Sequence, residues 1–118
     1  MKTVLKLLTL LVFFTLFSCK YGVEMRLINC SNKTLNQVLI TNGFKTNQLG
    51  DIQKDTIIKT FLDFKENNSG IDGNFKIDFS IDGKIKSYKF GYYSNGIPSV
   101  KDYEIKIFKD TILIKNNF

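Results

Sequence analysis

The chain contains no histidine, so any chemistry it performs must come from carboxylates, lysines, hydroxyls and two cysteines. Without an imidazole it lacks the commonest general base near neutral pH, the Ser-His and Cys-His nucleophile pairs, and the commonest metal ligand. Cys30 has no imidazole to activate it and reads as structural or half-exposed rather than nucleophilic. Glycoside hydrolysis by paired acids needs two carboxylates held across a cleft. Asp63 and Asp78 are candidates, but no spacing separates them from the other acids. A Ser-Lys dyad could be drawn from seven serines and sixteen lysines, without the motif context such enzymes carry. Asp78-x-Ser80-x-Asp82-Gly83 opens like an EF-hand calcium loop. Its twelfth position, where the bidentate Glu belongs, is Lys89. A solvated strand ending in a turn is the better reading. No Gly-rich phosphate loop is present. The expectation is a protein that is not an enzyme and uses no metal or cofactor.

The elements that would position these residues are strands. Of 118 residues, 43% are hydrophobic and 24% charged, with no Ala and eleven Phe. That is one domain's worth of chain, able to bury a core and leaning away from helix. Beyond residue 20, apolar residues recur at period two and turn residues interrupt every eight to twelve positions. Val23, Met25 and Leu27 alternate in a first strand, Cys30 to Lys33 turn, and Gln37 to Thr41 form a second. Phe44 to Asp55 reads as irregular, with Leu49 to Ile52 a short strand or bend. Thr56 to Phe64 places Ile58, Thr60, Leu62 and Phe64 on one face.

Phe75, Ile77, Phe79 and Ile81 alternate with polar residues and lead into Asp82-Gly83, the signature of a two-residue type I′ turn. That turn opposes Ile81 to Lys84, Phe79 to Lys86, Ile77 to Tyr88 and Phe75 to Phe90. Opposed residues share a face, so Tyr88, Phe90 and Tyr92 are expected in the core. Pro98 belongs in a loop or at an edge, because it cannot donate to a ladder. Val100 to Phe108 is a strand with Tyr103, Ile105 and Ile107 aligned, and Thr111 to Lys115 closes the chain. Six or seven strands without a helix predict an all-β, antiparallel two-sheet sandwich of immunoglobulin-like size. A small closed β-barrel is the alternative.

This phasing bears on the run Lys86 to Tyr93, which interleaves basic and aromatic residues and could stack on bases or sugars. If Tyr88, Phe90 and Tyr92 face the core, only Tyr93 remains outside. Tyr93 with Ser94, Asn95, Gly96, Ile97, Pro98 and Ser99 is therefore the expected contact surface. Three Asn-x-Ser/Thr sequons, at Asn29, Asn32 and Asn67, are what an Asn-rich chain yields by chance.

The first eighteen residues differ from all of this. Lys2 and Lys6 precede eleven uncharged residues, Leu7 to Phe17, in the plan of a secretory signal peptide. As a helix that run reaches only ~17 Å, too short for a hydrocarbon core of ~30 Å. Leu16-Phe17-Ser18-Cys19 resembles the lipobox of bacterial lipoproteins, in which the Cys is acylated and becomes the first residue. Phe17 is bulkier than the residue usual there, and signal cleavage without lipid is the alternative. The resemblance implies residues 1–18 as signal, a single domain over 19–118 and a lipid on Cys19. Lys20 follows where an Asp would resemble an inner-membrane retention signal, and Lys20-Tyr21-Gly22 lacks the acidic residues of surface-export signals in related lipoproteins, so the resemblance implies the periplasmic side of an outer membrane. Cys30 is then unpaired; a Cys19–Cys30 disulfide belongs to the unlipidated alternative.

Loss of Lys2 and Lys6 with the signal lowers the net charge from +6 to +4, mild and scattered, and no nucleic-acid footprint. The function expected is a lipid-anchored envelope protein that binds another envelope protein or a cell-wall component. A periplasmic inhibitor or immunity-type protein and a weak glycan binder working through Tyr93 are the alternatives.

Overall fold

Alternating apolar residues cannot bury one face alone, and this chain buries them by stacking two sheets. The computed structural model describes residues 21–65 and 70–117. The strands are β1 (Gly22–Asn29), β2 (Leu35–Thr41), β3 (Thr46–Ile52), β4 (Ile57–Asp63), β5 (Gly73–Ile81), β6 (Lys84–Ser94), β7 (Ile97–Pro98), β8 (Asp102–Ile107) and β9 (Ile112–Asn117). One sheet has the order β4-β1-β8-β9 and the other β3-β2-β5-β6-β7. The fold is the expected all-β sandwich. Val23, Met25 and Leu27 of β1 and Tyr103, Ile105 and Ile107 of β8 face Ile40, Phe75, Ile77 and Phe79 of the second sheet, all buried. Each such aliphatic or Phe side chain contributes about 1.5–3 kcal/mol on burial.

Three features depart from the expected pattern. β1 and β8 are parallel neighbours, with Glu24 beside Asp102 and Ile28 beside Lys106. Parallel neighbours need a long crossover, and the chain from β2 to β7 supplies one. Residues 46–52, read as largely irregular, form the full strand β3 against β2. The register there shifts around Val38, and Gln37 has φ +52°; Leu35 and Val38 are both buried as a result. The third departure, in β6, moves the predicted contact residues and is described below.

The hairpin register is the expected one: Ile81–Lys84, Phe79–Lys86, Ile77–Tyr88 and Phe75–Phe90. Asp82 and Gly83 take φ +52° and +73°, as a type I′ turn requires.

The sandwich is laced on one side and open on the other. The Asn47 Nδ2 of β3 donates to Thr60 Oγ1 and to Phe61 O of β4, both at 2.9 Å. These bonds join the edges of the two sheets. On the far side β6 pairs with β7 only at Tyr93 and Ser94, and β9 is the last strand of its sheet.

Candidate functional site

Gly91 decides which aromatic residues the protein presents. Phe75 pairs with Phe90 but Gly73 pairs with Tyr93, so β6 carries one residue more than β5 across this step. Gly91 has φ +65°, the left-handed first residue of a glycine bulge. A Cβ there would lie 2.7 Å from the Tyr103 hydroxyl and 2.9 Å from the Phe75 ring, so no larger residue fits. The extra residue inverts the alternation. Tyr92, expected in the core, is 53% exposed, and Tyr93, expected outside, is 3% exposed. Gly91 inside a strand pattern was the available signal.

Tyr93 is consequently a structural residue. Its ring meets Phe44, Phe64 and Phe75 at centroid distances of 6.2, 5.1 and 5.8 Å, and its hydroxyl donates to Asn42 O. Asn42 is itself buried. Its Oδ1 accepts from the Phe44 and Lys45 amides, and its Nδ2 donates to Asp63 O. Tyr93 thus ties the β2–β3 turn to the ends of β4 and β6. Burial holds its phenol above the usual tyrosine range. The same holds for Tyr103, where burial outweighs a hydrogen bond from the Tyr92 backbone.

Of the remaining predicted contact residues Gly96 is buried, while Ser94, Asn95, Ile97, Pro98 and Ser99 stay at the surface, in a different form. Ser94 pairs with Ile97 across Asn95 and Gly96, both at positive φ. The expected loop is a two-residue hairpin, and Asn-Gly was its sequence signal. Pro98 sits on the edge strand β7, where its missing N–H costs no ladder bond. Gly96 N donates to Ile71 O at 2.8 Å, and Asn95 N to Asp72 Oδ1 at 2.8 Å. The Tyr92 hydroxyl reaches Asp72 Oδ2 at 2.9 Å. These bonds hold the Asp72 carboxyl below its usual range, the Asn95 amide contributing most. Ile71 and Ile97 project from the resulting tip, 60% and 57% exposed.

Two open hollows lie elsewhere. A groove of about 480 Å³ crosses the outer face of the second sheet, lined by Gln37, Leu39, Gln48, Asp78, Ser80 and Ile85 among others. Its lining mixes polar and apolar side chains, and its volume is that of a small-ligand or peptide side-chain site. The other, about 570 Å³, lies beside Tyr21 and Gly22, with Lys59, Phe61, Pro98 and Lys101.

The residues weighed for chemistry fall apart. Asp78 lies on β5 with Lys76 Nζ at 3.3 Å, and Asp82 in the hairpin turn holds Lys33 Nζ at 2.7 Å. Both carboxylates have surface partners of the ordinary kind. Asp63 stands at the end of β4, its Oδ1 accepting from the Lys65 amide. Among the described residues no group of three Cys, Asp or Glu side chains could hold a metal ion. Asn29, first of the sequon matches, is buried, and its amide serves Lys33 O, Ile52 O and Ser31. Cys30 is half-buried and free. Residues 1–20, Cys19 among them, and the sequon at Asn67 lie outside the described residues.

The geometry defines the class as a two-sheet β-sandwich with open surface grooves. No family model matches the chain, and no curated protein matches it. Among solved structures it is similar to the NMR structure of the protein from Eubacterium rectale, with a TM-score of 0.53 and 14% identity over 82% of this chain and 89% of that one. At that identity the likeness concerns the fold.

Proposed function

We propose that this chain is a lipid-anchored protein of the cell envelope, acylated on Cys19, whose sandwich works by binding rather than by catalysis. The observation that carries the reading is the apolar run followed by Leu16-Phe17-Ser18-Cys19. In support, the first described strand begins at Gly22, so processing before Cys19 would leave all nine strands of the described residues in the mature chain. A diacylglyceryl group with an N-acyl chain gives the two or more hydrophobic signals that stable anchoring needs, each buried CH₂ adding about 0.8 kcal/mol. The non-acidic residues after Cys19 favour the periplasmic face of an outer membrane. The partner is an envelope protein or cell-wall component, and the groove of Gln37, Leu39, Gln48 and Ile85 offers a surface to receive it. Tyr93, 3% exposed, is not available as a stacking ring for a sugar, so a glycan reading would rest on the Ser94–Ser99 segment alone.

The test is Cys19→Ser in the full chain. Wild type should take up labelled palmitate and pellet with membranes; the variant should lose the label and appear in the soluble envelope fraction. Continued pelleting of a normally processed variant would overturn the anchor.

A further inference from the structure

The end of the sandwich at which the chain enters is unlike a neutral solvent cap. Tyr21, the first described residue, lies against Phe64 edge-on at 6.5 Å and accepts the Phe64 amide on its carbonyl. At the same end stand the β2–β3 turn, the start of β5 and the β6–β7 hairpin, joined through Tyr93 and Asn42. Four large apolar or aromatic side chains are exposed there: Tyr21 at 41%, Tyr92 at 53%, Ile97 at 57% and Ile71 at 60%. The two isoleucines are not on loose loops, because Gly96 N–Ile71 O and both Asp72 oxygens lock their turns together. Lys45, Lys65 and Lys101 are exposed around them. Three acids share this end, Asp63, Asp72 and the exposed Glu24, and the hydrogen bonds to Asp72 favour its ionised form, so the lysines stand among carboxylates.

Exposed apolar residues alone do not single out this end, since Ile85 on the opposite hairpin is 84% exposed. The tether does. Tyr21 follows Cys19 by two positions, and two residues span at most about 7 Å. A domain held so closely to an acylated residue cannot turn its entry end away from the bilayer. Isoleucines and tyrosines ringed by lysines suit the headgroup boundary, where aromatic rings rest and lysine stems extend toward phosphate.

We infer that this end of the sandwich, led by Ile71 and Ile97, lies against the lipid surface and seats the domain upright on its anchor. The inference rests on the lipid anchor proposed above, and it adds a second contact made by the folded domain. That contact fixes which way the groove on the second sheet faces.

The chain has no Trp, so a single introduced indole reports its surroundings without background. Full chain processed in membranes is reconstituted into phosphatidylethanolamine–phosphatidylglycerol vesicles with brominated acyl chains, carrying Ile97→Trp, Ile71→Trp or Ile85→Trp. For the first two, emission should move to the blue and lose most of its intensity to bromine, as for groups about 5–10 Å into the boundary. Emission from Ile85→Trp should stay solvent-like. Each variant is first checked for the wild-type circular dichroism spectrum; if one tip variant fails, the other decides. Protein that floats with the vesicles but is quenched at neither tip position overturns the contact and leaves the anchor standing. Equal quenching at all three positions also overturns it. If the wild-type chain does not float, the anchor falls, and the inference with it.

Discussion

Tyr93 joins three aromatic rings to the buried Asn42 of the β2–β3 turn, while its neighbour Tyr92 reaches Asp72 and Ser94 at the surface. Replacing Tyr93 with Ala should therefore cost about 3–5 kcal/mol, the usual range for a buried aromatic. Replacing Tyr92 with Ala should change stability by about 0.5 kcal/mol or little more. Urea unfolding of the two variants checks this, and comparable losses would contradict the assignment. Tyr93 and Tyr103 also give stability an alkaline limit. Burial raises both phenols above the ordinary value of 10.0, so the neutral ring is favoured in the folded state. Their contribution is fully present below that pH and is lost as pH rises through the raised folded values. Melting curves between neutrality and strong alkali should show the decline, and Tyr93→Phe should shallow it. At this scale the sequence was informative about type and misleading about direction. The aromatic cluster was visible in Lys86 to Tyr93, but one left-handed glycine reversed which tyrosine faced inward.

Strand β6 shows how the elements protect themselves. It is eleven residues long, and β7 covers its outer edge only at the last two. Such an edge is a template for pairing with another chain unless something blocks it. Lys84, Lys86 and Lys89 lie along it, and Lys86, opposite Phe79, sits on the inward face and is half-buried. An inward charge is a strong block, because a partner strand would have to bury it. Replacing these three lysines with Thr should promote concentration-dependent self-association, read by sedimentation velocity. An unchanged monomer profile would show that the edge is guarded by other means. The sequence revealed β5 and β6 and their register because alternation and the Asp-Gly turn agree on one pairing. It hid β3, where Gln48, Gly50 and Asp51 interrupt the alternation and the register shift at Val38 lets an irregular pattern pair.

For the whole molecule, the decisive contact is the parallel pairing of β1 with β8. These strands occupy the centre of one sheet, yet they lie near opposite ends of the described chain. Contacts of such long sequence separation form late and slowly, so folding on the millisecond-to-second scale is expected. Ending the chain after Lys101 would remove β8 and β9, leaving β1 paired with β4 alone and Val23, Met25 and Leu27 uncovered. That truncation should abolish cooperative thermal unfolding by circular dichroism. A retained sharp transition would mean that the second sheet with β1 and β4 is sufficient.

The sequence by itself determined the all-β class, the alternating core faces and the β5–β6 register, because period-two patterning and turn chemistry act between near neighbours. The tertiary structure alone decided the parallel centre of the first sheet, the lacing of β3 to β4 through Asn47, and the gathering of Ile71, Ile97, Tyr92 and Tyr21 at one end. Each of these depends on packing between residues far apart in the chain, where no local pattern records the outcome.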